Sequence, residues 1–200
     1  MESTDTIILA SNSPRRRELM TQVGLEFEVI GSEVEEVITK TAPDEVVIEL
    51  SRQKCLDVAD GVIRNILTQD YDIIVIGADT VVADNHKILG KPSNGDEDAK
   101  QMLKSLRGHA HSVFTGVTFA RIRNKEVIKT ISFAEETKVH MLDYSDEIID
   151  MYVASKEPLD KAGAYGIQGL GAILVDYIEG DYNNVVGLPI SRVYHELKDF

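Results

Sequence analysis

Hydroxyl groups and arginines lie together near the N-terminus, in a combination that can bind phosphate. Residues 11–16 read SNSPRR. Ser13 followed by Pro14 is typical of an N-cap and a first helical residue, because serine can accept a hydrogen bond from a free amide and proline has no N–H. A helix start attracts anions, and Arg15 and Arg16 add planar donors that match phosphate oxygens. The pattern favours a phosphate site, with a solvated helix face as the alternative.

Acidic residues at two places could bind a cation or accept a proton. Asp79 follows the apolar run at residues 73–76, so its carboxylate is expected at the end of a buried strand. Such a group is costly unless a cation or hydrogen bonds satisfy it, although it could also cap a turn through its own backbone. Glu35 and Glu36 could complete a site for Mg²⁺, which prefers carboxylate and phosphate oxygens. The alternative for this pair is solvated surface.

Two lysines lie where a cation for phosphate could be held. Lys54 falls beside the apolar stripe of a helix predicted at residues 43–60. Lys91 lies in the tight turn LGKP at residues 89–92, where proline stiffens the chain. Each could bind phosphate, and each could be an ordinary lysine whose stem covers the edge of the core.

The elements that must position these residues alternate between strands and helices. Strands are predicted at residues 6–10, 26–30, 73–76, 111–122, 127–141 and 172–178, with a hairpin at 81–90. Helices are predicted at 14–23, 43–60, 96–106, 145–155 and from about 189 onwards, with Ser145 as an N-cap. This mixture indicates an α/β fold with a mixed, twisted sheet flanked by helices. Ligands in such folds favour loops that follow strands, and the candidates are residues 11–16, 77–80 and 180–184.

The composition indicates a globular protein of the cytoplasm. Its 200 residues suit one domain, or two small lobes that share a core. No apolar run approaches the roughly 18 residues of a membrane span, and residues 1–5 lack the basic region of a secretory signal. Cys55 is the one cysteine, so an internal disulfide is excluded. The net charge of −13 disfavours nucleic acid as a partner.

Taken together, these segments resemble the Maf family over nearly the whole chain. The matching motifs are LASNSPRR at 9–16, SEVEE at 32–36, RQK at 52–54, GADT at 77–80, LGKP at 89–92, DKAGAYGIQG at 160–169 and GLP at 187–189. Each motif is weak alone, whereas seven in order are specific. The resemblance implies one domain over residues 1–200, with the two-lobed Maf and ITPase-like fold around a deep cleft, commonly as a homodimer.

The resemblance also implies an activity, the hydrolysis of nucleoside triphosphates between the α and β phosphates. Asp79 then takes the role of proton acceptor, and Glu36 joins Asp79 in holding a divalent metal, Mg²⁺ or Mn²⁺. The residues implied to hold the triphosphate are Ser13, Arg15, Arg16, Lys54 and Lys91.

The base is the second implied part of the substrate. Arg15, Thr80 and Gln168 match the specificity positions of the branch that acts on dTTP and UTP. The expected partner is therefore a small nucleotide, with no role for a membrane or for nucleic acid.

Two other functions fit the same cations. One is a regulator of septum formation and cell division that senses pyrimidine nucleotides without turnover, and the other is a phosphatase that releases orthophosphate. Asp79 and Glu36 favour an enzyme over a sensor, because carboxylates that face phosphates are of little use to a pure binder unless a metal intervenes.

Overall fold

The computed structural model describes residues 5–65, 72–85 and 87–200. Within these residues, seven strands form one sheet. The strands are β1 (Thr6–Leu9), β2 (Glu28–Val29), β3 (Ile73–Asp84), β4 (Lys87–Leu89), β5 (Ala110–Arg123), β6 (Glu126–Met141) and β7 (Val175–Glu179). The helices are α1 (Pro14–Gln22), α2 (Pro43–Asn65), α3 (Gly95–Leu106), α4 (Asp146–Ala154), α5 (Tyr182–Val186) and α6 (Ile190–Asp199). Short 3-10 helices cover Glu157–Asp160, Ala162–Ala164 and Gly169–Leu174.

The sheet is mixed. Its order is β2-β1-β3-β5-β6-β7, and β4 pairs with β3 outside that path. β1 is parallel to both β2 and β3, while β4 is antiparallel to β3 and β7 is antiparallel to β6. Parallel neighbours need long crossovers, which α1 and α2 provide, whereas antiparallel neighbours need only short turns. The predicted α/β class, with a mixed sheet and flanking helices, is confirmed.

The chain forms two compact units. The first unit contains the described residues of Met1–Asp79, Thr115–Glu135 and Gly187–Phe200, and the second contains those of Thr80–Phe114 and Glu136–Val186. Each unit has its own apolar cluster. In the first, the buried residues are Ile8, Ala10, Cys55, Val58, Ala59, Ile73, Val75, Ala120 and Ile122. In the second, the largest buried side chains include Leu103, Leu106, Ile149, Tyr152 and Leu174.

Helix α2 lies directly against the sheet in the first unit because two strand residues beneath it have no side chain. A Cβ atom at Gly77 would lie 2.3 Å from the carbonyl oxygen of Ser51, and one at Gly116 would lie 2.2 Å from that of Val47. Both distances are far below van der Waals contact. The two glycines therefore set how closely α2 approaches β3 and β5.

The end of α1 matches its prediction in detail, but its start does not. Gly24 has φ +73 after the last turn, its N–H donates to Thr21 O, and the N–H of Leu25 donates to Met20 O. This is the Schellman arrangement that glycine permits. Ser13 occupies the N-cap position but makes no side-chain cap hydrogen bond. The expected bond is absent from the described atoms there, and Ser13 N–H instead donates to Ser11 Oγ at 3.3 Å.

Other boundaries differ from the prediction. The expected loop at residues 77–80 is wrong, because β3 continues without a break from Ile73 to Asp84. Pairing explains this continuity: the first part of β3 is hydrogen-bonded to β1 and its last part to β4. The strand expected at 172–178 begins at Val175, since a 3-10 helix occupies the residues before it. Helix α5 takes up much of the loop expected at 180–184.

Further differences are smaller. Helix α2 continues to Asn65 beyond the predicted end at residue 60, and β2 is only Glu28–Val29. Ser145 is the N-cap of α4 but makes no side-chain cap bond. Residues 1–4, part of the segment judged to lack a signal, and His86 of the predicted hairpin lie outside the described residues. Across the parts of the chain that the structure describes, no helix is long and apolar enough to cross a membrane.

Candidate active site

Three predicted site residues meet in the first unit. The ammonium nitrogen of Lys54 lies 2.9 Å from Glu36 Oε1 and forms a second ion pair with Asp79 Oδ1. Lys54 and Asp79 are mostly buried, whereas Glu36 is 45% exposed. Two carboxylates that face one position would repel each other without a cation between them. The arrangement therefore creates a place that favours positive charge, with Lys54 supplying that charge from within the chain.

The contact between Lys54 and Asp79 follows from the close packing at Gly77. Asp79 lies two residues after Gly77 on the same strand, so both face the same side of the sheet. Lys54 lies three residues after Ser51 on α2, and thus almost one turn further along the helix. Because Ser51 touches the strand at Gly77, the next turn of α2 brings Lys54 to Asp79.

Glu36 reaches this place on an irregular segment, the strap, defined as residues 31–42. The strap runs along α2 without helix or strand structure. Three polar side chains hold it, each four residues from the next and therefore on one face of α2: Glu49, Gln53 and Asp57. Charged and amide side chains replace the backbone ladder that a strand would have used.

The attachment nearest to Glu36 is made by the carboxamide of Gln53. Gln53 Oε1 accepts the N–H of Val37 at 3.0 Å, and Gln53 Nε2 donates to Val37 O at 2.6 Å. Both backbone groups of the residue next to Glu36 are thus satisfied by one amide. On either side, Glu33 N–H donates to Asp57 at 3.1 Å and Thr39 N–H donates to Glu49 at 2.8 Å.

Arg16 organises the backbone beside Asp79. Its Nη1 donates to Ala78 O at 2.9 Å and to Ser11 Oγ at 3.0 Å, and its Nε donates to Gly187 O at 2.8 Å. One guanidinium therefore joins the end of β1, the residue before Asp79 and the segment before α6. The sequence pointed to Arg16 only as a phosphate ligand, and this backbone role was missed.

The charges of three other predicted site residues influence the pKa of Arg16. Burial lowers the pKa of Arg16 below its ordinary value, the negative charge of Asp79 opposes that change, and the positive charge of Arg15 adds to it. Glu36 makes a smaller contribution that raises the pKa. The predicted residues that interact in this way within the first unit are Arg15, Arg16, Glu36 and Asp79. Ser13 lies half-buried at the start of the helix that carries the two arginines.

Thr80, Lys91 and Gln168 belong to the second unit. Lys91 is exposed in its turn, and the preceding Gly90 accepts a hydrogen bond from Gly163 N–H at 3.0 Å. That bond ties the turn of Lys91 to the glycine-rich segment that carries Gln168. The carboxamide of Gln168 is exposed and makes no cap hydrogen bond to the 3-10 helix that follows it.

Two carboxylates of the described residues are placed where they could hold a metal ion. Within residues 5–65, 72–85 and 87–200, no group of three or more His, Cys, Asp or Glu side chains is arranged to hold one. Glu36 and Asp79 nevertheless converge on a single cation, the ammonium of Lys54. Two converging carboxylates suit Mg²⁺, which takes few protein ligands and completes its shell with water and phosphate oxygens.

The residues that hold the strap were also missed from the sequence. Glu49, Gln53 and Asp57 are polar residues at four-residue spacing, next to the apolar stripe of a correctly predicted helix. That spacing was a usable signal, since a polar row beside a buried stripe can bind a neighbouring segment.

Comparisons with known proteins agree with the resemblance seen in the sequence. Residues 6–200 match the family described as Maf-like protein. A dTTP/UTP pyrophosphatase of Agathobacter rectalis is 52% identical over 197 residues, covering 96% of each chain. One from Bacillus thuringiensis subsp. konkukian is 52% identical over 195 residues, covering 97% of this chain and 95% of the relative. A solved HAM1 protein from Coxiella burnetii aligns with a TM-score of 0.48 and 12% identity, covering 98% of this chain and 99% of that one. Because the family match spans nearly the full length and the two relatives share half of their residues with it, the chain belongs to the Maf family.

Proposed function

We propose that this protein hydrolyses nucleoside triphosphates, preferring dTTP and UTP, between the α and β phosphates to give the monophosphate and pyrophosphate. Relatives at 52% identity carry the name dTTP/UTP pyrophosphatase. The observation that carries the proposal is the convergence of Glu36 and Asp79 on the ammonium of Lys54. A carboxylate that can accept a proton thus lies beside a cation that can bind phosphate.

The cations have one role throughout the reaction. Cleavage moves negative charge onto the departing pyrophosphate, so groups placed around it stabilise the transition state more than the ground state. Arg15, Lys54 and Lys91 are the cations that we assign to the triphosphate. Ser13 adds a hydroxyl at the start of the helix that carries the arginines. Arg16 keeps the backbone around Asp79 in place through Ala78.

Asp79 is the group that we assign to proton transfer. As a carboxylate it can take the proton of the water that attacks the α phosphorus, provided that water lies within about 3 Å. Its position inside strand β3 fixes the backbone from which the side chain extends. A rigid acceptor loses little freedom in the reaction.

We further propose that Glu36 and Asp79 hold a divalent cation, Mg²⁺ or Mn²⁺. When bound, this ion supplies Lewis-acid polarisation of phosphate oxygens and a more acidic water. Lys54 would then give up one or both carboxylates and turn its ammonium towards phosphate. The exposed edge of Glu36 is consistent with exchange of this kind.

Base selection is assigned to Gln168, Thr80 and Arg15. The edge of uracil or thymine presents two carbonyl acceptors around one N–H donor, and a carboxamide offers both a donor and an acceptor. Gln168 suits this role because its side chain makes no cap bond to the helix that follows. Thr80 directly follows Asp79, which would link recognition to chemistry, and Arg15 can donate to a carbonyl or to phosphate.

Product analysis tests the activity. Purified protein with UTP or dTTP and Mg²⁺ should release pyrophosphate and monophosphate, and excess chelator should stop the reaction. Orthophosphate as the first product would identify a phosphatase instead. Tight nucleotide binding without any product would support the other candidate, a non-catalytic sensor of pyrimidine nucleotides, which the same cations would serve.

We also propose that the protein is a homodimer, as the family resemblance implies, and that it acts in the cytoplasm, as its composition suggests. Cys55 is the one cysteine of the sequence, so the chain has no internal disulfide of the kind that extracellular proteins often need. Light scattering after size-exclusion chromatography should give twice the chain mass of 22.2 kDa. A mass of one chain at micromolar concentration would contradict the dimer.

A further inference from the structure

The segment that carries Gln168 is folded tightly on itself. We name residues 166–171 the glycine loop. A Cβ atom at Gly171 would lie 2.2 Å from Gly166 O, and one at Gly169 would lie 2.9 Å from Glu157 Oε2. Gly169 also has φ +64, in the left-handed region that favours glycine. The loop therefore closes around neighbours that leave no space for side chains at these positions.

One of these neighbours is Tyr152, whose side chain is fully buried on α4. Its hydroxyl oxygen accepts the N–H of Gly166 at 3.1 Å, and its O–H donates to Glu157 Oε1 at 3.3 Å. Burial raises the pKa of Tyr152 well above its ordinary value, so the donated proton is retained at any working pH. Tyr152 thus connects the start of the loop to the carboxylate of Glu157.

Glu157 holds the other end of the glycine loop. Its Oε2 accepts the N–H of Leu170 at 3.2 Å, and its Oε1 accepts that of Gly171 at 3.4 Å. These amides open the 3-10 helix Gly169–Leu174, where N–H groups lack partners within the helix. A carboxylate at this place satisfies them and interacts favourably with the helix dipole.

Gln168 lies between the two fixed ends and has no cap bond of its own. Tyr152 fixes the backbone two residues before it, and Glu157 fixes the backbone two and three residues after it. The backbone from which the Gln168 side chain extends is therefore held by groups outside it. A recognition group whose backbone is ordered before binding loses less entropy on contact with its ligand.

We infer that Glu157, together with Tyr152, is a positioning residue for base selection, because it holds the glycine loop in the conformation that presents Gln168 to the pyrimidine. The inference rests on the proposed function. It assigns Glu157 no contact with substrate. The alternative is that Glu157 only caps the 3-10 helix and contributes to stability.

The test compares UTP with CTP, which differ at the base edge that a carboxamide can read. In Glu157→Ala, the ratio of kcat/KM for UTP to that for CTP should fall about tenfold, the effect of losing one well-placed hydrogen bond. Glu157→Gln keeps one acceptor oxygen and should restore part of the ratio. Glu179→Ala is the matched control, since it removes an exposed carboxylate of the same unit that binds His140 instead of the loop.

A double variant separates positioning from capping. In a Gln168→Ala background, Glu157→Ala should leave the UTP to CTP ratio unchanged, because the group that Glu157 positions is already absent. An equal loss for both nucleotides in Glu157→Ala, or a further fall of the ratio in the double variant, would overturn the inference. Circular dichroism checks that each variant is folded. If Glu157→Ala does not fold, the ratio of kcat/KM for UTP to that for CTP is measured in Glu157→Gln instead.

Failure of the proposed function gives a different result. If Gln168→Ala alone leaves the UTP to CTP ratio unchanged, Gln168 does not read the base, and both the assignment and the inference fall. If Gln168→Ala lowers the ratio and Glu157→Ala does not, only the inference falls. If the protein releases no pyrophosphate, the ratio of dissociation constants for UTP and CTP tests Glu157 in the same way.

Discussion

Lys54 is a cation that the chain supplies to its own pair of carboxylates. Its ammonium touches both Glu36 and Asp79, so one cation of the chain joins the two carboxylates. Part of this attraction is screened, because Glu36 is nearly half exposed. If these carboxylates hold a metal ion, as we propose, that ion competes with Lys54 for one place.

This competition leads to a prediction for Lys54→Gln. Without nucleotide, the variant should bind Mn²⁺ about tenfold more tightly than wild type, because the internal cation has been removed and about 1.4 kcal/mol corresponds to a factor of ten. Turnover should fall, since the phosphate loses a ligand. Isothermal titration with Mn²⁺ checks the affinity. Weaker binding of Mn²⁺ in the variant would mean that Lys54 holds the carboxylates for the metal and does not compete with it.

A second prediction concerns Asp79→Asn. The amide keeps the shape of the side chain but cannot accept a proton at neutral pH, so turnover should fall by about 10²–10⁴. Binding of dTTP should be largely retained. Pyrophosphate release and calorimetry measure the two properties, with Asp60→Asn, an exposed residue of α2, as the matched control. Near-normal turnover would remove Asp79 from the chemistry.

At the scale of elements, α2 and β3 could be predicted better than the strap. The apolar periodicity of α2 placed Lys54 beside the core, and the β-branched run placed Asp79 next to a buried strand. The continuation of β3 through Asp79 was missed, because a strand that changes its partner from β1 to β4 has no local signal. The strap was missed because side chains of α2, distant in sequence, satisfy its backbone.

The contact between α2 and β3 gives a third prediction. Gly77→Ala should lower the free energy of unfolding by about 1–3 kcal/mol, since its methyl group would overlap Ser51 O. It should also lower activity by moving Lys54 away from Asp79. Gly61→Ala is the matched control on α2, where the nearest atom to a new Cβ is 3.9 Å away. That change should raise stability by about 0.5–1 kcal/mol. Urea denaturation measures both, and equal effects would contradict the close packing.

At the scale of the whole molecule, one buried histidine links stability to pH. His111 is 4% exposed, and its Nε2 lies 2.7 Å from the hydroxyl of Tyr165, while its Nδ1 has no hydrogen-bond partner among the described residues. Burial lowers the pKa of His111 from 6.5 to about 4, although the charge of Asp84 opposes the change. The folded protein therefore keeps His111 neutral where an unfolded chain would protonate it.

The fourth prediction follows from this difference. The contribution of His111 to the free energy of unfolding is complete above pH 6.5 and decreases as the pH falls towards 4. It decreases because only the unfolded state gains a proton in that range. At pH 5 the loss from His111 should be about 2 kcal/mol. Asp72 affects the free energy of unfolding only at lower pH, since its hydrogen bond with Arg123 lowers its pKa to about 2. His111→Gln should remove most of the slope between pH 6.5 and 5 in urea denaturation, and an unchanged slope would exclude His111 as its source.

Cys55 makes the close packing of α2 on β3 directly observable. It is the one thiol in the chain and is fully buried, with its Sγ 3.3 Å from Val75 O. Burial raises the pKa of this thiol to about 12, so it is unreactive while the helix is in place. The rate at which a disulfide reagent labels the native protein therefore reports how often α2 lifts from the sheet. Lys54 is the residue adjacent to Cys55. Slower labelling with nucleotide present would therefore show that ligand binding makes the separation of α2 from the sheet less frequent.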